Sequence, residues 1–234
     1  MNTSSVTCRI CQGPCSPCGL VDNHPFVECR TCGFVFCTSI TQEQLSDWYR
    51  RGYHGVQDGA PDIGWANENF LEPVWKYLPR SGLTIMDFGA GTSLVGSLLR
   101  QRGNRVIEVD IAHSHSSHPD RHTGDIHTLP ISAGRFDLIY SFQVFEHIAE
   151  PLPILEQFTL LVKPGGYIYI HTDMETPERL EGFRKWWYVT PPDHCSFYRH
   201  RTFERFIKNR PLEIVYRDPK SVLMQSAFTV PDQP

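Results

Sequence analysis

Leu83-Thr84-Ile85-Met86-Asp87-Phe88-Gly89-Ala90-Gly91 is the stretch on which the fold turns. A short apolar run ends in a glycine turn, and Leu94 to Arg102 then reads as a helix. A run without polar alternation suits a strand buried on both faces, as parallel sheets require. Glycines at the carboxyl end of such a strand let backbone approach a ligand, and the next helix offers free N–H groups. The same alternation continues outward. Arg105–Asp110, Phe136–Ser141 and Gly166–His171 read as strands, with a helix over about 152–162. A helix over about 203–208 precedes two closing strands, Glu213–Arg217 and Val222–Phe228. Strands alternating with helices predict an α/β domain around a mostly parallel, doubly wound sheet.

Asp110 closes the second strand, where a carboxylate accepts the hydroxyls of a ribose. Dinucleotide enzymes share that logic, but their G-x-G-x-x-G pattern fails here because its last position is Leu94. The order of segments goes further: Asp87-Phe-Gly-Ala-Gly91, Val109-Asp110, Gly124-Asp125 with Leu129-Pro130, Phe136-Asp-Leu-Ile139, Phe145-Glu-His147, and Lys163-Pro-Gly-Gly166. From about Leu83 to Phe228 this order resembles the class I S-adenosylmethionine-dependent methyltransferases. The resemblance implies a Rossmann-like, seven-stranded sheet whose last strand is antiparallel. It also implies that Asp87, Gly89, Ala90 and Gly91 hold the methionine part of S-adenosylmethionine. Asp110 would take the ribose and Asp125 the adenine edge, with Ile111, Ile126, Ser141 and His147 completing the cofactor site. Ser93 departs from the family's third glycine, and Ala112–His118, with three histidines, reads as a solvated loop instead of the expected helix.

Ahead of this domain stand two C-x2-C pairs, Cys8/Cys11 and Cys29/Cys32. Two such turns supply the four thiolates that tetrahedral Zn2+ prefers, and a closed sphere predicts a structural metal. Gly33 and the short apolar run Phe34-Val35-Phe36 follow, as in a zinc ribbon whose folding leans on its ion. Cys15 and Cys18 form a third C-x2-C that is able to replace one pair or to bind nothing, while Cys37 and Cys195 read as inert thiols. The expected division is a zinc-ribbon-like segment over 1–40, a helical linker or lid over 41–80, and the cofactor-binding domain over 81–234. Within the linker, Thr41 starts a capped helix, Asn67–Tyr77 a second one interrupted or begun by Pro73, and Tyr53-His54 suggests a lid.

Candidate bases after the core strands are His147, His171, Asp173 and His194. The stretch Trp186-Trp-Tyr-Val-Thr-Pro-Pro-Asp-His194 sets a titratable pair beside aromatics that would wall a substrate. With the cysteine segment, it resembles the branch that includes sugar C-methyltransferases of antibiotic pathways. That likeness implies His194 as base and Asp193 as its assistant, with Trp187 and Tyr188 shaping the pocket. Members of that branch are longer, with a further C-terminal domain, whereas this chain stops at Pro234.

Composition sets the outer bounds. A hydrophobic fraction of 40% and a charged fraction of 21% describe a folded protein. A net charge of −4 gives no basic footprint for nucleic acid or an anionic membrane. Met1–Thr7 lacks the apolar core of a signal peptide, and no apolar run is long enough to span a bilayer. A cytoplasmic setting follows, with the eight cysteines as metal ligands or free thiols. The leading expectation is a methyltransferase acting on a small molecule, a sugar derivative or secondary metabolite. An RNA or protein methyltransferase gripping its substrate with the ribbon is one alternative. A binding protein that kept the fold without catalysis is another.

Overall fold

The computed structural model describes residues 6–51, 68–112, 118–174 and 180–227. Tyr53-His54 and the histidines at 113 and 115 lie outside the described residues, so the lid and the histidine tract are not placed. Three antiparallel strands come first: β1 (Cys15–Val21), β2 (His24–Cys29) and β3 (Val35–Cys37). Helix α1 (Gln42–Arg50) follows, opened by a capping box in which the Thr41 hydroxyl accepts from Gln44 N–H and the Gln44 side chain accepts from Thr41 N–H. The helix expected over Asn67–Tyr77 resolves into two 3-10 turns, Asn69–Leu71 and Val74–Lys76. Pro73, which has no N–H to extend the first, stands between them.

The main domain runs β4 (Thr84–Phe88), α2 (Val95–Gln101), β5 (Arg105–Asp110), β6 (Arg121–Thr123) and β7 (Phe136–Phe142). It continues through a 3-10 turn (Phe145–His147), α3 (Pro151–Leu161), β8 (Val162–His171) and α4 (Leu180–Lys185). Strand β9 (Ser196–Phe197), α5 (His200–Ile207), β10 (Leu212–Asp218) and β11 (Ser221–Ser226) complete it. The seven-stranded sheet has the order β10-β11-β8-β7-β4-β5-β6. Its pairs from β8 to β6 are parallel, and β11, the last strand in the chain, runs antiparallel to both neighbours. This is the Rossmann-like seven-stranded sheet expected from the sequence.

Neighbouring residues explain why the strands lack polar alternation. Met86, Ile107, Ile139 and Ile168 pack into one core cluster, and Ile85, Val106, Leu138 and Tyr169 into another. Successive side chains point to opposite faces, and both faces are covered. Glu108 on β5 is buried, yet Arg100 and Arg121 reach its two oxygens at 2.7 and 2.9 Å, which satisfies the charge. Gly96 in α2 makes room there, because a Cβ would collide with the Glu108 carboxylate.

The cysteine segment is stitched to the main domain by a second sheet of order β1-β2-β3-β9. Strand β9 comes from the segment just after Cys195, and Cys37 N–H donates to Cys195 O at 2.9 Å. Thr202 Oγ donates to Cys32 O at 3.0 Å, and Arg199 to Gly33 O at 2.9 Å.

Candidate active site

The carboxyl end of β4 makes the turn from which the site is built. Gly89 and Gly91 have φ of 77° and 51°, the left-handed region that a side chain disfavours. At Gly89 a Cβ would also strike Val144, whereas beside Gly91 nothing lies within 4 Å and the space is open. Asp110, at the end of β5, accepts Gly91 N–H and Ala112 N–H, each at 2.7 Å. Each oxygen keeps a further lone pair for a ligand hydroxyl.

A cavity of about 370 Å3 opens over these residues, walled by Gly89, Gly91, Asp110, Ile111, Asp125, Ile126 and His147. A second, of about 630 Å3, is lined by Asp87, Gly89, Ala90 and an aromatic wall of Phe70, Tyr140, Phe142, His171, Trp187 and Tyr188. Gly89 and Gln143 face both. Between them the two cavities offer the groups that a nucleoside bearing an amino-acid arm would use: a diol acceptor at Asp110, apolar faces at Ile111 and Ile126, and a carboxylate at Asp87. Asp87 is 4% exposed and takes the Tyr140 hydroxyl at 2.5 Å, and burial pushes its carboxyl up to about 7. Of the residues expected to hold the cofactor, only Ser141 is off both walls. It is fully buried in β7, and its hydroxyl has no partner among the described residues.

The pair Asp193-His194 stands behind these walls. Asp193 turns to His147, with Oδ1 2.9 Å from His147 Nδ1, and also accepts the Tyr49 hydroxyl at 2.6 Å. His194 Nε2 is 3.9 Å from the carboxylate, and its Nδ1 lies 2.6 Å from Tyr188 O. The two imidazoles meet edge to face with centroids 4.6 Å apart. Burial opposes ionisation of Asp193, but hydrogen bonding and charge from His147 prevail and hold it at about 2. Burial likewise works against charge on His147, yet Asp193 and Glu146 raise its pKa, whereas burial and the His147 charge lower that of His194. Beneath them Glu146, 1% exposed, accepts the hydroxyls of Tyr188 at 2.6 Å and Thr172 at 2.8 Å.

Tyr49 and Gln143 were not anticipated. Tyr49 sits on α1, far from Asp193 in sequence, and no local pattern links them. Gln143 has φ of 54°, a strained value that only the structure shows.

At the other end of the chain, Cys8, Cys11, Cys29 and Cys32 bring all four Sγ atoms within 4.8 Å of one another. Cys8 and Cys32 are 3.5 Å apart, as are Cys11 and Cys29. Zn–S bonds of about 2.3 Å in a tetrahedron put the sulfurs about 3.8 Å apart, so the donor set fits the ion. Ile10 N–H and Cys32 N–H point at Cys8 Sγ and Cys29 Sγ, at 3.3 and 3.4 Å. Cys15, on β1, has its sulfur 3.8 Å from Gly13 O, and neither it nor Cys18 joins the cluster.

The family described as "Methyltransferase domain" matches residues 66–217, more than half of the chain. The chain belongs to the class I S-adenosylmethionine-dependent methyltransferases. Among curated methyltransferases, it is 27% identical over 175 residues to the ubiquinone biosynthesis O-methyltransferase of Caulobacter vibrioides, covering 67% of this chain and 66% of that one. To the enzyme of the same name from Leptothrix cholodnii it is 26% identical over 110 residues, covering 42% of this chain and 47% of that one. The chain thus spans about half to two thirds of these methyltransferases' length. Among solved structures, the 1,6-didemethyltoxoflavin-N1-methyltransferase of Burkholderia thailandensis, with bound 1,6-didemethyltoxoflavin and S-adenosylhomocysteine, shares the fold. Its TM-score is 0.55 at 13% identity, over 80% of this chain and 87% of that one. Among the described residues, no helix is long and apolar enough to cross a membrane.

Proposed function

We propose that the chain transfers a methyl group from S-adenosylmethionine to a small-molecule acceptor held against the aromatic wall. The carrying observation is that the Gly89–Gly91 turn and Asp110 converge on one cavity, which shares Gly89 and Gln143 in its lining with a second. Bound there, S-adenosylmethionine supplies an electrophilic methyl group for in-line displacement, leaving S-adenosylhomocysteine. Asp110 takes the ribose, Ile111 and Ile126 flank the base near Asp125, and ionised Asp87 faces the ammonium of the methionine arm. What remains for the protein is alignment, exclusion of water and handling of the acceptor's proton. The last falls to the cluster of His194, Asp193 and His147. Asp193 reaches His194 only at 3.9 Å and instead orients His147 at 2.9 Å.

A flat, ring-bearing acceptor suits a wall in which Trp187 is 77% exposed. The named small-molecule methyltransferases similar to this chain agree with that class. Cys8, Cys11, Cys29 and Cys32 hold a structural Zn2+ in this reading.

Calorimetric titration with S-adenosylhomocysteine tests the cofactor site. Asp110→Ala removes a charged acceptor worth about 1.5–3 kcal/mol, so affinity falls roughly 10- to 100-fold. A folded protein that binds no S-adenosylhomocysteine, or an Asp110→Ala variant that binds it as well as the parent, overturns this reading.

A further inference from the structure

We infer that Glu146, His147 and His194 form a second metal site, one that takes a divalent transition-metal ion through two imidazoles and a carboxylate. The three residues each present one donor atom, and these atoms lie within 4.8 Å of one another. The tautomers follow from the hydrogen bonds. Tyr188 O can only accept, so His194 Nδ1, 2.6 Å away, carries the proton and Nε2 is left with its lone pair. Asp193, an ionised acceptor 2.9 Å from His147 Nδ1, keeps a proton on that nitrogen, so a bound ion would replace the second proton of that charged ring at Nε2. Anchoring the remote nitrogen to a carboxylate or a carbonyl is how metal-bound histidines are oriented.

The third donor is held as firmly. The Glu146 carboxylate is 1% exposed, takes the Tyr188 and Thr172 hydroxyls, and lies 4.0 Å from His147 Nε2. Among the described residues, no Lys or Arg forms an ion pair with this buried carboxylate. The nearest positive charge is that of His147, which a divalent ion would replace with a larger one. Bonds of about 2.0–2.2 Å place donors at most about 4.3 Å apart, so the widest spacing needs to close by roughly half an ångström on binding. Two imidazoles and one carboxylate select the Zn2+ or Fe2+ class over Mg2+ and leave coordination positions open.

The location gives those positions a use. His147 walls the cofactor cavity, and Tyr188, the anchor of Glu146 and His194, walls the aromatic one. An ion there would stand between His147 on one wall and Tyr188 on the other, where an acceptor hydroxyl or carbonyl oxygen could complete its sphere. With both imidazoles as ligands, the ion in place of His194 would lower the pKa of the acceptor's proton. That use rests on the methyl-transfer reading, but the binding of the ion does not.

Titrating Co2+ into the purified full-length, zinc-loaded protein separates the possibilities. The expected result is one equivalent of Co2+ with weak visible bands and no thiolate-to-cobalt charge-transfer band, bound at least tenfold more weakly by His194→Ala and by Glu146→Gln. Either variant suffices where the other fails to fold. Absence of binding by the parent protein overturns the site, as does a thiolate band or an affinity unchanged in both variants. S-adenosylhomocysteine titrated in parallel keeps the outcomes apart. Its binding without Co2+ uptake removes the metal site alone, whereas its failure to bind strikes the cofactor reading.

Discussion

Asp87 shows how one buried group couples stability to the proposed cofactor. Its carboxyl is raised to about 7 by burial, against a hydrogen bond from Tyr140 that lowers it. A carboxyl raised in the folded state stabilises the protein below its unfolded pKa of about 4 and loses that contribution as pH climbs to 7. The ligand-free protein should therefore melt at a lower temperature at pH 7.5 than at pH 5, a difference that shrinks in Asp87→Asn. The ammonium of S-adenosylhomocysteine prefers the ionised acid, so its affinity should rise over the same interval. Calorimetry at several pH values checks both slopes, and equal slopes in parent and Asp87→Asn would contradict the assignment. The placing of Asp87, Gly89 and Asp110 on the cavity walls was legible in sequence because each sits at the carboxyl end of an apolar strand. The pairing of Asp193 with His147 was not. Adjacency in sequence suggested His194, and only the fold brings the turn 145–147 beneath that loop.

Among elements, β4, β5, β7, β8 and β11 were readable as apolar runs, because both faces of the sheet are covered. Strand β6 escaped notice, since Arg121-His-Thr123 carries no apolar pattern and joins the sheet only by pairing with β5. Strand β9 is just Ser196–Phe197, fixed by β3 and not by its own sequence. That pairing makes the cysteine segment a support for the histidine loop immediately upstream. Cys195 N–H donates to Glu146 O at 2.9 Å, and Ser196 Oγ to Ile148 O at 2.6 Å, so β9 also ties down the turn carrying Glu146 and His147. Thr202→Val deletes the bond from α5 to Cys32 O and leaves a buried carbonyl short of a partner, at a cost of about 1–3 kcal/mol. Faster amide exchange at Cys37 and Cys195 in this variant is the expected sign. Unchanged exchange would mean that β3 and β9 hold without α5.

At the scale of the whole molecule, one core cluster crosses the point where the sequence changes character. A boundary near residue 40 is natural in a chain whose cysteines precede its α/β pattern. Yet Cys8, Ile10, Val27, Phe34 and Phe36 belong to the same core cluster as Met86, Ile139, Phe145 and Ile168. Phe34 packs on Tyr198 with centroids 5.1 Å apart, and Tyr198 in turn on Phe145 at 6.0 Å. Arg9 lies over Phe36 and donates to Ala149 O at 3.0 Å. A ribbon sharing its apolar surface in this way cannot melt without exposing the core beneath α3 and α5. Small metal-built units draw much of their folding free energy from the ion. If the cysteines hold zinc as proposed, removing it with a chelator should therefore lower one cooperative transition by roughly 10 °C or more, without splitting off an early one. Calorimetric scans of the zinc-loaded and chelated protein distinguish the cases. Two separated transitions after chelation would show that the ribbon folds apart from the domain it flanks. A single shifted transition would make the cysteine cluster a determinant of active-site geometry.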